Sequence, residues 1–137
     1  MEAKEAKDYN FDVLNKISYD VVGASMKVHT HLGPGLLETV YEVCLVHELN
    51  KMGYSVESQK PLAVMYDNVR LNAGFRLDIV VNKIFIVEIK AVDALHPVHT
   101  AQLLTYLKIS GLKLGLLINF NVEHLKGGIK RVVNSHI

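Results

Sequence analysis

Tryptophan is missing from this sequence, cysteine occurs once, and neither sign of charge prevails: 15 lysines and arginines face 14 aspartates and glutamates, a net charge of +1. The lone Cys44 rules out an internal disulfide framework and fits a reducing compartment. The even charge balance gives no bulk argument for nucleic-acid binding, because duplex binders carry a plain basic excess. A phosphate partner would have to be drawn by a local patch or by bound cations. No apolar run approaches the ~20 residues that span a bilayer. The opening stretch MEAKEAKDYN is polar and charge-mixed, unlike a secretory signal. These absences lead to the expectation of a cytoplasmic protein without membrane attachment.

What is present is ordinary for a soluble fold: 137 residues, 50% hydrophobic and 21% charged. That length suits one domain with a real core, expected over residues 11–137 behind a polar N-terminal tail at 1–10. Phe11, Leu14, Ile17, Val21, Val22, Met26 and Val28 recur at helical spacing, which predicts a helix over residues 11–32. Gly33-Pro34-Gly35 interrupts it. A second helix is predicted from about Leu36 to Met52, with Gly53 placed to terminate it.

From Tyr54 the period changes to two. Strands are predicted over residues 54–59, 62–66, 69–81 and 84–91, with turns at Asp67-Asn68 and Asn82-Lys83. His96-Pro97 opens a helix that runs to about Ser110, and Gly111 ends it. Leu114 to Phe120 is a nearly continuous apolar run, as in a strand covered on both faces. Residues 127–137 are read as a short edge strand or tail. A helix crossing between strands brings the following strand in parallel, so the order predicts an α/β fold with a mixed β-sheet flanked by helices.

One stretch resists the pattern. Asp78-Ile-Val-Val-Asn-Lys-Ile-Phe-Ile-Val-Glu-Ile-Lys90 is strand-like and apolar, yet contains Asp78, Glu88 and Lys90. Buried charges are costly unless paired or bound to a metal. Glu88 and Lys90 share a face, and Ile89 points away. A two-residue turn at Asn82-Lys83 would pair Asp78 with Val87 and turn it from Glu88. A three-residue connection or a bulge would pair Asp78 with Glu88 instead. The apolar pattern accepts both registers. Alone, a Glu-x-Lys tripeptide reads as a solvated surface pair. Gln102 and Tyr106, one helical turn apart, could likewise be interface polars. Glu38 could simply complement a helix dipole, with Tyr41 packing beside it.

Together these pieces are specific. Asp78, then Glu88-Ile89-Lys90, then Gln102-x-x-x-Tyr106 resembles the PD-(D/E)XK nuclease superfamily, particularly its RecB-like and lambda exonuclease-like branches. Gly35-x-x-Glu38-x-x-Tyr41 resembles the signature of the small GxxExxY family within it. The stretches HLGPGLLETVYE, FRLDIVV, VEIKAV, HTAQLLTYLK and GLLINF stand in that family's order. The resemblance implies a restriction-endonuclease-like core and a metal-dependent phosphodiesterase acting on nucleic acid, DNA ahead of RNA. It implies Mg²⁺ or Mn²⁺ held by Asp78, Glu88 and the Ile89 carbonyl, with Glu38 as an outer or second-ion carboxylate. Lys90 would orient the attacking water or stabilise transition-state charge, and Gln102 and Tyr106 would steady the phosphate or the carboxylates.

Other residues carry weaker signals. Arg76, on the Asp78 face, could meet phosphate or pair with Glu38 or Glu88. Lys126, Lys130 and Arg131 form a basic group near the C-terminus that could guide a nucleic-acid strand. His96-x-x-His99 is a weak ligand pair, and His29 and His31 lack a carboxylate at helical spacing, so zinc is not expected. A domain this small lacks arms to grip a long duplex, which leaves room for a homo-oligomer or a protein partner. The competing readings are a non-catalytic nucleic-acid-binding or assembly module on the same fold, and an unrelated α/β domain with a surface Glu–Lys pair.

Overall fold

The computed structural model describes residues 10–72 and 74–135. Of the tail expected at 1–10, all but Asn10 lies outside the described residues. Asn10 caps the first helix, α1 (Phe11–Leu32), by accepting the Val13 N–H on its side chain at 3.2 Å. The helix α2 (Glu38–Lys51) follows, starting two residues later than the sequence pattern predicts. Gly33 and Gly35 both take positive φ, 73° and 96°, and turn the chain sharply between the helices. The Tyr41 hydroxyl closes that turn. It donates to the Gly33 carbonyl at 2.7 Å and accepts the Leu36 N–H at 3.1 Å. Its ring stacks on Phe120 at 4.6 Å.

Next come β1 (Val56–Pro61), β2 (Val64–Tyr66), β3 (Val69–Leu71), β4 (Arg76–Val81) and β5 (Phe85–Lys90). The helix α3 (Pro97–Ser110), β6 (Leu114–Asn119), a 3-10 turn (Leu125–Gly128) and β7 (Ile129–Val133) complete the chain. Among the described residues the strands make a five-stranded sheet in the order β1-β4-β5-β6-β7 and a separate two-stranded ribbon, β2-β3. The β5–β6 pair is parallel and the other pairs are antiparallel, so the sheet is mixed, as the helix crossover requires. This is the restriction-endonuclease-like α/β architecture expected from the resemblance.

The single strand predicted over 69–81 is two strands. Gly74, at φ 81°, lies in the break, and the first piece folds back on β2 through Asp67 and Asn68, both left-handed. A period-two pattern persists through such a break and so conceals it.

Helices α1 and α2 cover one sheet face around Ile79, Val81, Phe85, Val87, Ile89, Leu116 and Ile118. Helix α3 covers the other face around Val80, Ile86 and Leu117 through Leu103 and Leu107. Gly115 permits that approach: a Cβ there would stand 2.8 Å from the Ile86 carbonyl oxygen and 3.3 Å from a Leu103 methyl. No described helix is long and apolar enough to cross a membrane.

Candidate active site

The hairpin between β4 and β5 decides which carboxylates meet. Val81 pairs with Phe85, leaving Asn82, Lys83 and Ile84 as a three-residue connection. Asn82 and Lys83 are both left-handed, at φ 51° and 63°, and the Ile84 N–H returns to the Val81 carbonyl at 3.1 Å. Continuing the Ile79–Val87 register by one step sets Asp78 opposite Glu88, the second of the two registers that the sequence allows.

At that step the regular ladder stops and side chains take over. The Asp78 N–H donates to Glu88 Oε2 at 2.9 Å, and the Ile89 N–H donates to Asp78 Oδ2 at 2.9 Å. Glu88 is only 4% exposed. Burial, and then the Asp78 charge beside it, pushes its pKa up to about 8, against the pull of the Asp78 N–H and Lys90. Buried beside a second carboxylate, Glu88 calls for either a proton or a nearby cation.

The α3 face supplies the remaining expected residues. Lys90 follows Glu88 at the strand's end, and its Nζ stands 3.4 Å from Gln102 Oε1. Tyr106 lies one turn further along α3, half-buried, and its hydroxyl is pushed above the ordinary tyrosine range by burial and by Glu88 and Asp78. Glu38 comes from the opposite side: its Oε2 accepts the Ala91 N–H at 3.3 Å, one residue beyond Lys90. Glu38 is exposed, but it is not remote from the cluster.

The basic residues are less united than the sequence implies. Arg76 is exposed at the start of β4 and makes no ion pair with Glu38 or Glu88. Lys126, Lys130 and Arg131 do not form one patch, because neighbouring strand residues point to opposite faces. Arg131 reaches α1 and donates to Asn15 Oδ1 at 2.7 Å. Lys130 pairs with Leu117, which pairs with Glu88. It therefore stands on the Glu88 face, about 10 Å away by strand spacing. Lys126 sits on the 3-10 turn. His99 Nδ1 accepts the His96 N–H at 3.0 Å, a helix-end contact, and His29 Nε2 lies 2.7 Å from the Val122 carbonyl oxygen.

Two residues of the site escape sequence reasoning. Glu42, one turn after Glu38 on α2, is only 9% exposed and accepts the Ser58 hydroxyl at 2.6 Å. Gln59 in β1 donates to Glu42 Oε1 at 2.8 Å and to Asp78 Oδ1 at 3.3 Å. The four-residue spacing of Glu38 and Glu42 was the available signal for the former. Gln59 sits at φ 55°, a left-handed conformation that costs a non-glycine residue roughly 1–3 kcal/mol and that no composition rule reveals.

No curated protein and no solved structure matches the chain significantly. The family model of the PD-(D/E)XK nuclease superfamily does match, over residues 15–132, a span that holds every residue of the cluster just described. With the carboxylate pair, the lysine beyond it and the mixed sheet beneath them, this chain belongs to the PD-(D/E)XK nuclease superfamily.

Proposed function

We propose that this protein is a metal-dependent nuclease that hydrolyses phosphodiester bonds of nucleic acid, DNA ahead of RNA, with Mg²⁺ or Mn²⁺. One observation carries this reading: Asp78 and Glu88 are joined through each other's strand backbone at 2.9 Å, with Lys90 on the same face. The donor set fits a hard divalent ion. It consists of oxygens, it is anionic, and Glu88 is too dry to ionise readily on its own. Among the described residues no three His, Cys, Asp or Glu side chains are grouped to hold an ion. The remaining positions would fall to main-chain oxygen, water and substrate, as suits magnesium. Asp78, Glu88 and the Ile89 carbonyl would hold the ion, with Glu38 outlying. When bound, it supplies polarisation of the phosphate and a more acidic water.

The chain's own groups do the rest. Lys90, steadied by Gln102, presents an ammonium to the charge that grows on the phosphoryl oxygens in the transition state. Tyr106 keeps its proton at neutral pH and can donate it in a hydrogen bond to a phosphate oxygen. Arg76, exposed two residues before Asp78, and Lys130 in the Glu88 row give flanking phosphates a positive approach.

The test is cleavage of single- and double-stranded DNA and RNA with Mg²⁺ or Mn²⁺, with chelator and Lys90→Ala controls. Metal-dependent cutting lost in the variant supports the reading. Protein that binds nucleic acid but cuts none of the panel would favour the non-catalytic module.

A further inference from the structure

Opposite Asp78 in β1, the chain leaves the extended conformation. The β1–β4 pairing passes from Ser58–Ile79 to Lys60–Leu77, and Gln59 between them has φ 55°. Glycine takes this conformation freely, whereas other residues are strained there. The Gln59 side chain is exposed, so burial of its own does not offset the strain. The conformation places one amide nitrogen between two carboxylates, 2.8 Å from Glu42 Oε1 and 3.3 Å from Asp78 Oδ1. A glutamine amide carries two protons, one for each carboxylate. Glu42 is itself gripped on its other oxygen by the Ser58 hydroxyl at 2.6 Å, so it anchors the Gln59 side chain rather than following it.

We propose that Gln59 is a positioning residue: buttressed by Glu42, its amide fixes the rotamer of Asp78 from the side opposite the Ile89 N–H. Each Asp78 oxygen is then claimed once, Oδ1 by Gln59 and Oδ2 by Ile89, and each keeps a lone pair for a ligand. A carboxylate held at both oxygens meets an ion without first losing rotational freedom. The benefit to catalysis rests on the metal-dependent reading above; the hold on Asp78 does not.

The experiment compares Gln59→Gly and Gln59→Ala with wild type in metal-free, ¹⁵N-labelled protein. Both variants should shift the Ile89 amide proton upfield and speed its exchange to the same extent. The Ile79 and Val87 amides, in the regular part of the same ladder, should stay in place. Glycine should be more stable than alanine, since it relieves the backbone while removing the same amide. Mn²⁺ titration should then show about 10-fold weaker binding in both, the scale on which residues that orient metal ligands act. An unmoved Ile89 amide overturns the proposal, and so does general loosening that also moves Ile79 and Val87. Equal stability of the two variants overturns the strained placement. Failure of the nuclease reading shows separately, as wild-type protein that takes up no Mn²⁺ and cuts nothing; the Ile89 resonance, read without metal, still decides whether Gln59 holds Asp78.

Discussion

Asp78 and Glu88 are bound crosswise, the backbone N–H of Asp78 on the Glu88 carboxylate and the Asp78 carboxylate on the N–H of Ile89, both at 2.9 Å. Each acid thus serves as a closing rung of the hairpin, beside the ion-holding role proposed for it. Substituting either one changes the strand pairing along with the chemistry, whereas Lys90 lies beyond the rung and can be removed cleanly.

That difference predicts separable phenotypes. Lys90→Ala should leave Mn²⁺ binding near wild type while cleavage falls ~10²–10³-fold, the usual loss for one well-placed transition-state group. Asp78→Ala should weaken Mn²⁺ binding and cleavage together and also lower stability. Calorimetric titration beside a cleavage assay distinguishes the two. Equal loss of metal binding in Lys90→Ala would place the lysine among the groups that hold the ion.

Glu88 sets the pH dependence. Its pKa is raised from 4.5 to about 8, so across that interval the folded, metal-free protein keeps a proton that the unfolded chain has released. Stability from this group is therefore fully present at acid pH and lost as pH rises toward 8, by up to about 1.4 kcal/mol per pH unit. An ion competing with that proton should bind more tightly as pH rises, by at most about tenfold per unit, and level off near 8. Thermal melts in chelator and Mn²⁺ titrations over the same range check both slopes. Glu88→Gln should flatten the first.

Gly115→Ala should act at a distance. The added methyl would meet the Ile86 carbonyl oxygen, which cannot yield without moving β5, and the Leu103 side chain, which can yield only by lifting α3. A loss of roughly 1–3 kcal/mol in urea unfolding is expected for such overpacking. Because Gln102 neighbours Leu103, cleavage should fall further than Mn²⁺ affinity.

Tyr41→Phe addresses the tyrosine of the Gly35–Glu38–Tyr41 motif. The hydroxyl both donates to Gly33 and accepts from Leu36, so its loss orphans a carbonyl and an N–H in the turn before Glu38. About 1–3 kcal/mol of stability should go, with cleavage at saturating Mn²⁺ largely kept. A variant as stable as wild type but inactive would move Tyr41 from scaffold to chemistry.

Much of this was legible in the sequence because period and punctuation agree with the fold. The helix over 11–32, the glycines after α2 and α3 and the parallel β5–β6 pair all follow from local rules. The hairpin register was not legible, since β4 and β5 are apolar on both faces and the pattern Ile79-Val80-Val81 reads the same in either phase. Glu42 is not set apart by its helix alone, because the partners that hold it, Ser58 and Gln59, come from β1. Gln59 falls in the strand predicted over 54–59, and nothing in residue order signals its positive φ. The basic trio read as one patch only because adjacency in sequence was taken for adjacency in space.

The three-residue connection at Asn82-Lys83-Ile84 makes the acidic pair a matter of parity. Deleting one residue there would leave an even count and turn Asp78 toward the α1–α2 side, away from Glu88, while Val80 and Ile79 exchange places between the two apolar layers. The pair would be gone, and a carboxylate would face an apolar layer instead. The length of this short turn, as much as the identity of either acid, therefore sets whether the two acids meet.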